Sequence, residues 1–566
     1  MPESSKTYPQ VFEEMEDWPI HKLSRDRRSF VQEIDDFTLE RLQKQHKGNV
    51  EKLIASTVYN ERIRLKEEPW KVDPPGDASF WSRIRKRLTA SLQLGDPEET
   101  AAQQNHLLRK VIHRYSEEIV GTFSIPTFQF ARRFLTLFFG RLLNTAAGSS
   151  FRGIFQTKHQ LVERLIPQGD IDTIRELFKK GTVVLVPTHF SNLDSILIGY
   201  SVDAVLGWPA FSYGAGLNLY NNGAPAYFMN RLGAYRVDRR KKNPIYLETL
   251  KGMSNLSLQR GTNSLFFPGG TRSRSGSIET KLKMGLLGTI VEAQRAVCQD
   301  GKDEKIFVVP LILGYHFVLE AKYLIQQHLK ITGKEHYLKG QDASTSIRQW
   351  FKFAWQLFSQ GNDIVLSFGK PFDVLGNFVD SNGDSFDRFG KKIDIKEYFT
   401  SHGEVKTDLQ KEGEYTKILA DRIVERFHAD NVVLSSHVVA FVAFNMLFAN
   451  NSGLDLYALL RLPPEDYIFP RNEFFAAVEA FRNELFALEK EKKFKLSEQI
   501  HAPLEDVIKD GIRRISMYHV KKPLSFDKQG NITSDDFNTL YYYHNRLSTY
   551  NIEDRVDWKK WTVESV

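Results

Sequence analysis

Cysteine is almost missing from this chain: Cys298 stands alone among 566 residues. A single cysteine can close no intramolecular disulfide, and a reducing compartment is the simple expectation. Long apolar runs are scarce too. The longest, roughly Val432 to Ala449, is interrupted by Ser435, Ser436, His437 and Asn445 and is short for a bilayer span. It reads as a buried helix, so any membrane contact is expected to be peripheral. The first residues, Met1-Pro2-Glu3-Ser4-Ser5-Lys6, have no basic segment followed by an apolar one, so no cleaved signal is expected. No Gly-Lys-Ser/Thr ending completes a nucleotide P-loop. No internal repeat or long low-complexity tract is present.

Excess charge is also slight. The chain carries 77 Lys+Arg against 70 Asp+Glu, a formal +7, with an isoelectric point near 9.0. This permits attraction to anionic lipid or to phosphorylated substrates. It is not the dense basic footprint of a nucleic-acid binder, and no nucleic-acid partner is expected. Hydrophobic residues are 41% and charged residues 26%, ordinary for a globular protein. The 41 phenylalanines suit a large core, an apolar ligand surface or membrane contact without choosing among them.

The length suggests about three or four domain-sized units, and three regions separate by pattern. Residues 1–120 read as a polar helical accessory region broken by turn signals at Pro69, Asp73-Pro74-Pro75-Gly76 and Gly95-Asp96-Pro97. Residues 121–375 hold an α/β domain, opened by helical sequence to about 180. Residues 376–566 form a second helical region. Within the first helical stretch, a wheel of 125–145 puts Phe128, Ala131, Leu135, Phe138, Phe139 and Leu142 on one face and Arg132, Arg133 and Thr136 opposite. Such a helix could lie in a membrane interface or pack on the core. From 181, β-rich runs at 182–187, 234–237, 263–267, 305–313 and 363–368 alternate with helical segments. One helix has Asn243 as N-cap, Pro244 in its first turn and Gly261 as a stop. The fold class expected is α/β: a mixed, largely parallel sheet flanked by helices, with helical N-terminal and C-terminal regions. Asp380-Ser381-Asn382-Gly383-Asp384 lacks the spacing and closing Glu of a calcium loop and reads as an ordinary turn.

Candidate chemistry falls at strand ends. Thr188-His189-Phe190-Ser191-Asn192-Leu193-Asp194 follows the run at 182–187, Asp238-Arg239-Arg240 follows that at 234–237, and Pro268-Gly269-Gly270-Thr271-Arg272-Ser273 follows that at 263–267. Ligands of parallel α/β sheets gather beyond the carboxyl ends of the strands, so neighbouring strands would bring the three segments together. A neutral His189 is a general-base candidate toward a substrate hydroxyl, and Asp194 would accept its other ring N–H. Residues five apart share no helix face, so the pair meets only if His189 lies on the turn before a helix, with Ser191 or Asn192 as cap candidates. On those seven residues alone, a capping Asp beside an unrelated His is the stronger reading. Gly269-Gly270 permits a tight turn whose N–H groups approach an anion, and Arg272, Arg274 and Arg239 add charge suited to phosphate. Taken singly, the turn is a surface loop and Arg239-Arg240-Lys241-Lys242 a solvated charge run.

Together these segments resemble the glycerolipid acyltransferase family. Its His-x4-Asp motif is matched by His189 to Asp194 and its second motif by Gly233-Ala234-Tyr235-Arg236-Val237-Asp238-Arg239. Its Phe-Pro-Glu-Gly-Thr-Arg-Ser is matched by Phe267 to Ser273 except at Gly269, and its Val-Pro by Val309-Pro310. The resemblance runs in order over about 181–372. Gly216-Leu217-Asn218-Leu219, Arg272-Ser273-Arg274-Ser275-Gly276, Lys283-Met284-Gly285 and Tyr541-Tyr542-Tyr543-His544-Asn545-Arg546 resemble the glycerol-3-phosphate branch. The resemblance implies acyl transfer from a thioester, acyl-CoA or acyl carrier protein, to the hydroxyl of glycerol 3-phosphate in phospholipid synthesis. His189 and Asp194 would be catalytic, and Arg239, Gly270, Thr271, Arg272, Ser273 and Lys283 would bind substrate. No metal or other cofactor is implied. A cytoplasmic protein, peripheral on the inner face of a membrane, is expected. Where the family carries glutamate, which helps place the acceptor, this chain has Gly269. Lysophosphatidic acid or another lyso-lipid stays open as acceptor, as does an inactive lipid-binding role. Pro-Gly-Gly also resembles diacylglycerol-type acyltransferases.

Overall fold

The computed structural model describes residues 7–94, 96–146, 165–221, 223–332 and 363–565. At its centre is a seven-stranded sheet: β1 Leu165–Gly169, β2 Gly181–Pro187, β3 Ser212–Gly216, β4 Ala234–Val237, β5 Ser264–Leu265, β6 Lys305–Gly314 and β7 Ile364–Phe368. Their spatial order is β1-β7-β6-β2-β5-β3-β4. Every neighbouring pair is parallel except β6 with β7. The mixed, largely parallel α/β sheet expected from the alternating pattern is therefore present. Strands β1 and β3 are additions to the sequence reading. β3 is Ser-Tyr-Gly-Ala-Gly, too small and polar to carry an apolar signature. Buried on both faces, β2 is continuous in Val183, Val184, Leu185 and Val186, none of them exposed to solvent. Burial of each such side chain stabilises by roughly 1.5–3 kcal/mol.

Helices cover both faces. The helix Pro244–Gln259 starts as its sequence signals, with the Asn243 side chain accepting from Tyr246 N and proline in the first turn. It packs Tyr246, Leu250 and Met253 against Phe30, Ile34, Trp81 and Val111 of the N-terminal helices. On the other face, β2 and β6 share one core with the helices Ser435–Asn450, Arg471–Lys490, Leu504–Ser516 and Phe537–Ser548. Residues 376–566 thus fold onto the α/β unit through a continuous core. The helix Ser435–Asn450 is buried from Ser435 to Leu447 by protein. Among the described residues no helix is long and apolar enough to cross a membrane. Asp380–Asp384 is the turn of a hairpin, its Asp380 carboxylate accepting from Asn382 N and Asp384 N.

Two sequence expectations change. The helix Ile125–Ala146 turns Arg132 and Thr136 inward: Arg132 pairs with Asp203 at 3.2 Å and the Thr136 hydroxyl meets the Tyr200 hydroxyl at 3.2 Å. The Asp203 carboxylate is buried and draws in a cation, which outweighs the wheel pattern. Phe128 and Leu135 do pack inward, while Phe130, Phe134 and Leu137 face solvent. The side chains of Phe138, Phe139 and Leu142, like residues 147–164 and Gly95, lie outside the described set. The run Arg239–Lys242 is solvated only at its ends: Arg239 and Lys242 are exposed, while Arg240 and Lys241 are paired inward. Arg240 bonds Asp73 and Asp238 and lies 3.7 Å over the Trp70 ring. Lys241 meets both Glu118 oxygens at 2.6 Å with both side chains buried. These pairs clamp the N-terminal helices to the segment after β4.

A buried ion pair is costly to break from one side only. Lys241→Ala leaves the Glu118 carboxylate without its cation and is expected to cost about 3–5 kcal/mol of stability. Lys241→Met with Glu118→Leu is expected to cost much less. Urea denaturation of both variants checks this, and equal losses would contradict it.

Candidate active site

The segment after β2 is a turn, not a helix. Thr188 N donates to Leu311 O of β6, prolonging the strand by one residue. His189 to Leu193 then cross the sheet's carboxyl edge, and a helix runs from Asp194 to Ala204 with Leu193 at its N-cap. Ser191 and Asn192 are therefore not the cap. Ser191 Oγ instead accepts from Leu193 N and donates to Glu320. This turn brings the pair together: His189 Nδ1 lies 2.8 Å from Asp194 Oδ2. The same oxygen accepts from Phe190 N at 2.7 Å and Ser191 N at 3.0 Å, and Oδ1 accepts from the Tyr315 hydroxyl at 2.6 Å. Asp194 is wholly buried. Its bonds fix the tautomer with hydrogen on Nδ1 and leave Nε2 as the acceptor. The imidazole stacks on Phe267 at 4.0 Å between ring centres, and its side chain is 15% exposed, enough to meet a substrate.

β5 adjoins β2, so the loop 268–273 lies beside His189. Ser273 N donates to His189 O at 2.7 Å. Gly270 N donates to Phe267 O, closing a turn with Pro268 second and a glycine last. Gly270 has φ +78, a conformation that favours glycine, and a Cβ there would press on the Lys283 side chain. Lys283 N donates to Pro268 O, seating that lysine next to the turn. Thr271 is exposed. β4 is separated from β5 by β3, yet Arg239 spans the gap and donates to Gly270 O at 2.8 Å. Although Arg239 is exposed as a residue, loss of solvent around its guanidinium, then the like charges of Arg272 and Arg274, hold it below its ordinary pKa. Arg272 meets Glu320 at 3.3 Å. Arg239, Arg274 and Lys283 have no carboxylate partner among the described residues. Cations without a carboxylate partner beside a histidine suit an anion.

Every sequence-proposed site residue thus falls in one cluster, and the structure adds four others. Tyr315 and Glu320 follow β6. The rule that placed the other candidates, chemistry beyond the carboxyl end of a strand, would have found them. Glu320 accepts from Ser191 Oγ, Asn192 N and Arg272, joining the histidine turn to the arginine loop. Arg546, in the C-terminal helix, lies 4.2 Å over the Phe190 ring and donates to Leu313 O and Asn431 Oδ1. Next to it, a Cβ on Gly276 (φ +88) would strike Tyr542 O, so helix and loop are in close backbone contact. Finally, Glu279 Oε1 accepts from His189 N at 3.0 Å. Arg546 ends the C-terminal stretch that resembles the glycerol-3-phosphate branch, but no local signal marks Glu279, and both reach the site through long-range packing.

This fold and cluster define an acyltransferase-type domain, and residues 168–314 match the family model described as Acyltransferase. This match takes in the ordered motifs, from His189 to Pro310, that resemble the glycerolipid acyltransferases. It is similar to the glycerol-3-phosphate acyltransferase of Pseudoalteromonas atlantica, 25% identical over 292 residues, 51% of this chain and 31% of that protein. The Aeromonas hydrophila protein of the same name is 26% identical over 290 residues, 50% of this chain and 31% of that one. One from a Shewanella species is 25% identical over 457 residues, 77% and 49%. The chain spans about a third to a half of the length of these curated relatives. Among solved structures it is similar to the 1-acyl-sn-glycerophosphate acyltransferase PlsC of Thermotoga maritima, with TM-score 0.25 and 14% identity over 66% of this chain and 94% of that one.

Glu279 makes the site sensitive to pH. Burial pushes its carboxyl up to about 7, against the lowering effect of the His189 amide. The folded protein therefore holds this proton more tightly than the unfolded chain. Its contribution to stability is full below the ordinary glutamate value of about 4.3 and is lost as pH rises toward about 7. Glu279→Gln removes that dependence. The thermal midpoint of the wild type, relative to the variant, is expected to fall from pH 5 to about 7 and then level off. A constant difference across that range would contradict it.

Proposed function

We propose that the protein is an O-acyltransferase that moves a fatty acyl group from a thioester donor to a hydroxyl of glycerol 3-phosphate. The observation that carries this reading is the Asp194-oriented His189 beside the unpaired cations Arg239, Arg274 and Lys283. A hydroxyl to be activated and a phosphate to be held are what such a cluster serves. Neutral His189 takes the hydroxyl proton on Nε2 while Nδ1–H stays on Asp194. The hydroxyl oxygen bonds to the thioester carbonyl carbon. As the tetrahedral intermediate collapses, the C–S bond breaks and the imidazolium returns the proton to the leaving thiolate. The enzyme is unchanged, and neither metal nor redox cofactor takes part. Arg239, Arg272 and Lys283 hold the phosphate, with the turn at Gly270, Thr271 and Ser273 beneath it. The donor is acyl-CoA or acyl carrier protein.

The assay uses purified wild type and His189→Ala, with glycerol 3-phosphate and lysophosphatidic acid as acceptors and both thioester donors. His189→Ala is expected to lose about 10²–10⁴-fold in kcat. Arg272→Ala is expected to raise KM for glycerol 3-phosphate by about 10- to 100-fold, the worth of a charged hydrogen bond. Equal activity of wild type and His189→Ala would overturn the base. Preference for lysophosphatidic acid would move the acceptor, and inactivity with every pair would favour a lipid-binding role.

The acyl chain calls for an apolar surface, and we place it at a membrane met peripherally by the helix Ile125–Ala146. Phe130, Phe134 and Leu137 are exposed there, with Tyr227 nearby on the chain that stacks Phe228 against Phe130. Exposed aromatics with an adjacent arginine suit a headgroup boundary. Phe130→Ser with Phe134→Ser is expected to reduce cosedimentation with anionic phospholipid vesicles while leaving the thermal midpoint nearly unchanged. Undiminished binding would contradict the placement.

A further inference from the structure

Gly269 stands where the motif that the chain resembles has glutamate, and its backbone gives no reason for glycine. Among the glycines with positive φ, Gly270 appears and Gly269 does not. What crowds a side chain at 269 is another residue. A Cβ built there would lie 3.1 Å from Glu279 Cγ and 3.2 Å from Glu279 Oε1. The space is filled by a carboxylate that arrives from ten residues further along the chain. That carboxylate accepts from the backbone N–H of His189 at 3.0 Å.

This bond has structural leverage. The peptide N–H of His189 is the first beyond Thr188, which is still tied to β6. The next two N–H groups, of Phe190 and Ser191, go to Asp194. Glu279 therefore holds one side of the His189 backbone while Asp194 holds the other and the ring. Glu279 is not merely part of a saturated network. Asp194 and Glu320 each use both oxygens, whereas Glu279 Oε2 is buried with no well-formed hydrogen bond among the described residues. An acceptor kept buried at that cost is expected where function retains it.

We propose that Glu279 acts as a positioning residue, its carboxylate occupying the space beside Gly269 and holding the His189 backbone so that Nε2 faces the acceptor hydroxyl. Gly269 is then the counterpart of Glu279: without a side chain it leaves that space to the carboxylate. A glutamate at 269 could reach the same amide, since its Cβ would start 3.2 Å from the oxygen that now makes the bond. The role needs a hydrogen-bond acceptor rather than a charge, so glutamine at 279 would serve.

The inference depends on the acyl-transfer reading only for its kinetic readout, so the test has a second readout that needs no substrate. Three variants are compared with wild type: Glu279→Ala, Glu279→Gln and the double variant Gly269→Glu with Glu279→Ala. Hydrogen exchange of the peptide covering His189 is expected to quicken in Glu279→Ala and return toward wild type in the other two. In parallel, kcat is expected to fall about 10- to 100-fold in Glu279→Ala, the cost of a slightly misplaced base, with little change in KM. It is expected to recover in the double variant and to remain largely intact in Glu279→Gln. Inactive wild type with the exchange pattern as described would sink the acyl-transfer reading and leave the positioning role standing. Unaltered exchange in Glu279→Ala, or a folded double variant in which neither exchange nor kcat recovers, would overturn the proposal. So would Glu279→Gln behaving like Glu279→Ala.

Discussion

The Asp194 carboxylate is the joint on which the site turns. It is fully buried and accepts from His189 Nδ1, Phe190 N, Ser191 N and the Tyr315 hydroxyl. A buried charge survives only when its oxygens are satisfied, and here the satisfying groups come from the turn after β2 and the end of β6. One carboxylate therefore shapes the turn, orients the ring and ties the turn to the sheet. Removing it would leave Phe190 N and Ser191 N without their acceptor as well as the His189 ring without its partner.

Around that joint the parts of the chain are interdependent. The N-terminal helices grip the segment after β4 through Arg240 and the Lys241–Glu118 pair, which leaves Arg239 free to reach the glycine turn. The C-terminal helix sets Arg546 over the Phe190 ring and rests its backbone on Gly276. Residues distant in sequence thus brace both sides of a loop pair that is also tied by its own hydrogen bonds. The site is built from strand ends, with the flanking helical regions packed against it.

Much of this was legible beforehand. The alternation of apolar runs with a well-signalled helix at Asn243-Pro244 announced the sheet, because a buried parallel strand must be apolar on both faces. β3 escaped because its small and polar residues resemble a loop. A wheel misplaces the face of the helix Ile125–Ala146 because it counts polarity along one helix. It has no access to the buried Asp203 that pulls Arg132 inward. Arg240 and Lys241 were hidden for the same reason: whether a charge is solvated depends on what folds against it.

By itself the sequence determined the chemistry available at each strand end: a histidine with an aspartate five residues on, a double-glycine turn, and arginines after two strands. These follow from local order, which places side chains at the carboxyl edge whatever else the chain does. Only the tertiary structure decided that Arg239 bridges past β3 and that Tyr315 and Glu320 close the network. It also decided that Glu279 fills the space left by Gly269. Those relations join residues brought together by sheet order and core packing, and spacing along a chain carries no measure of either.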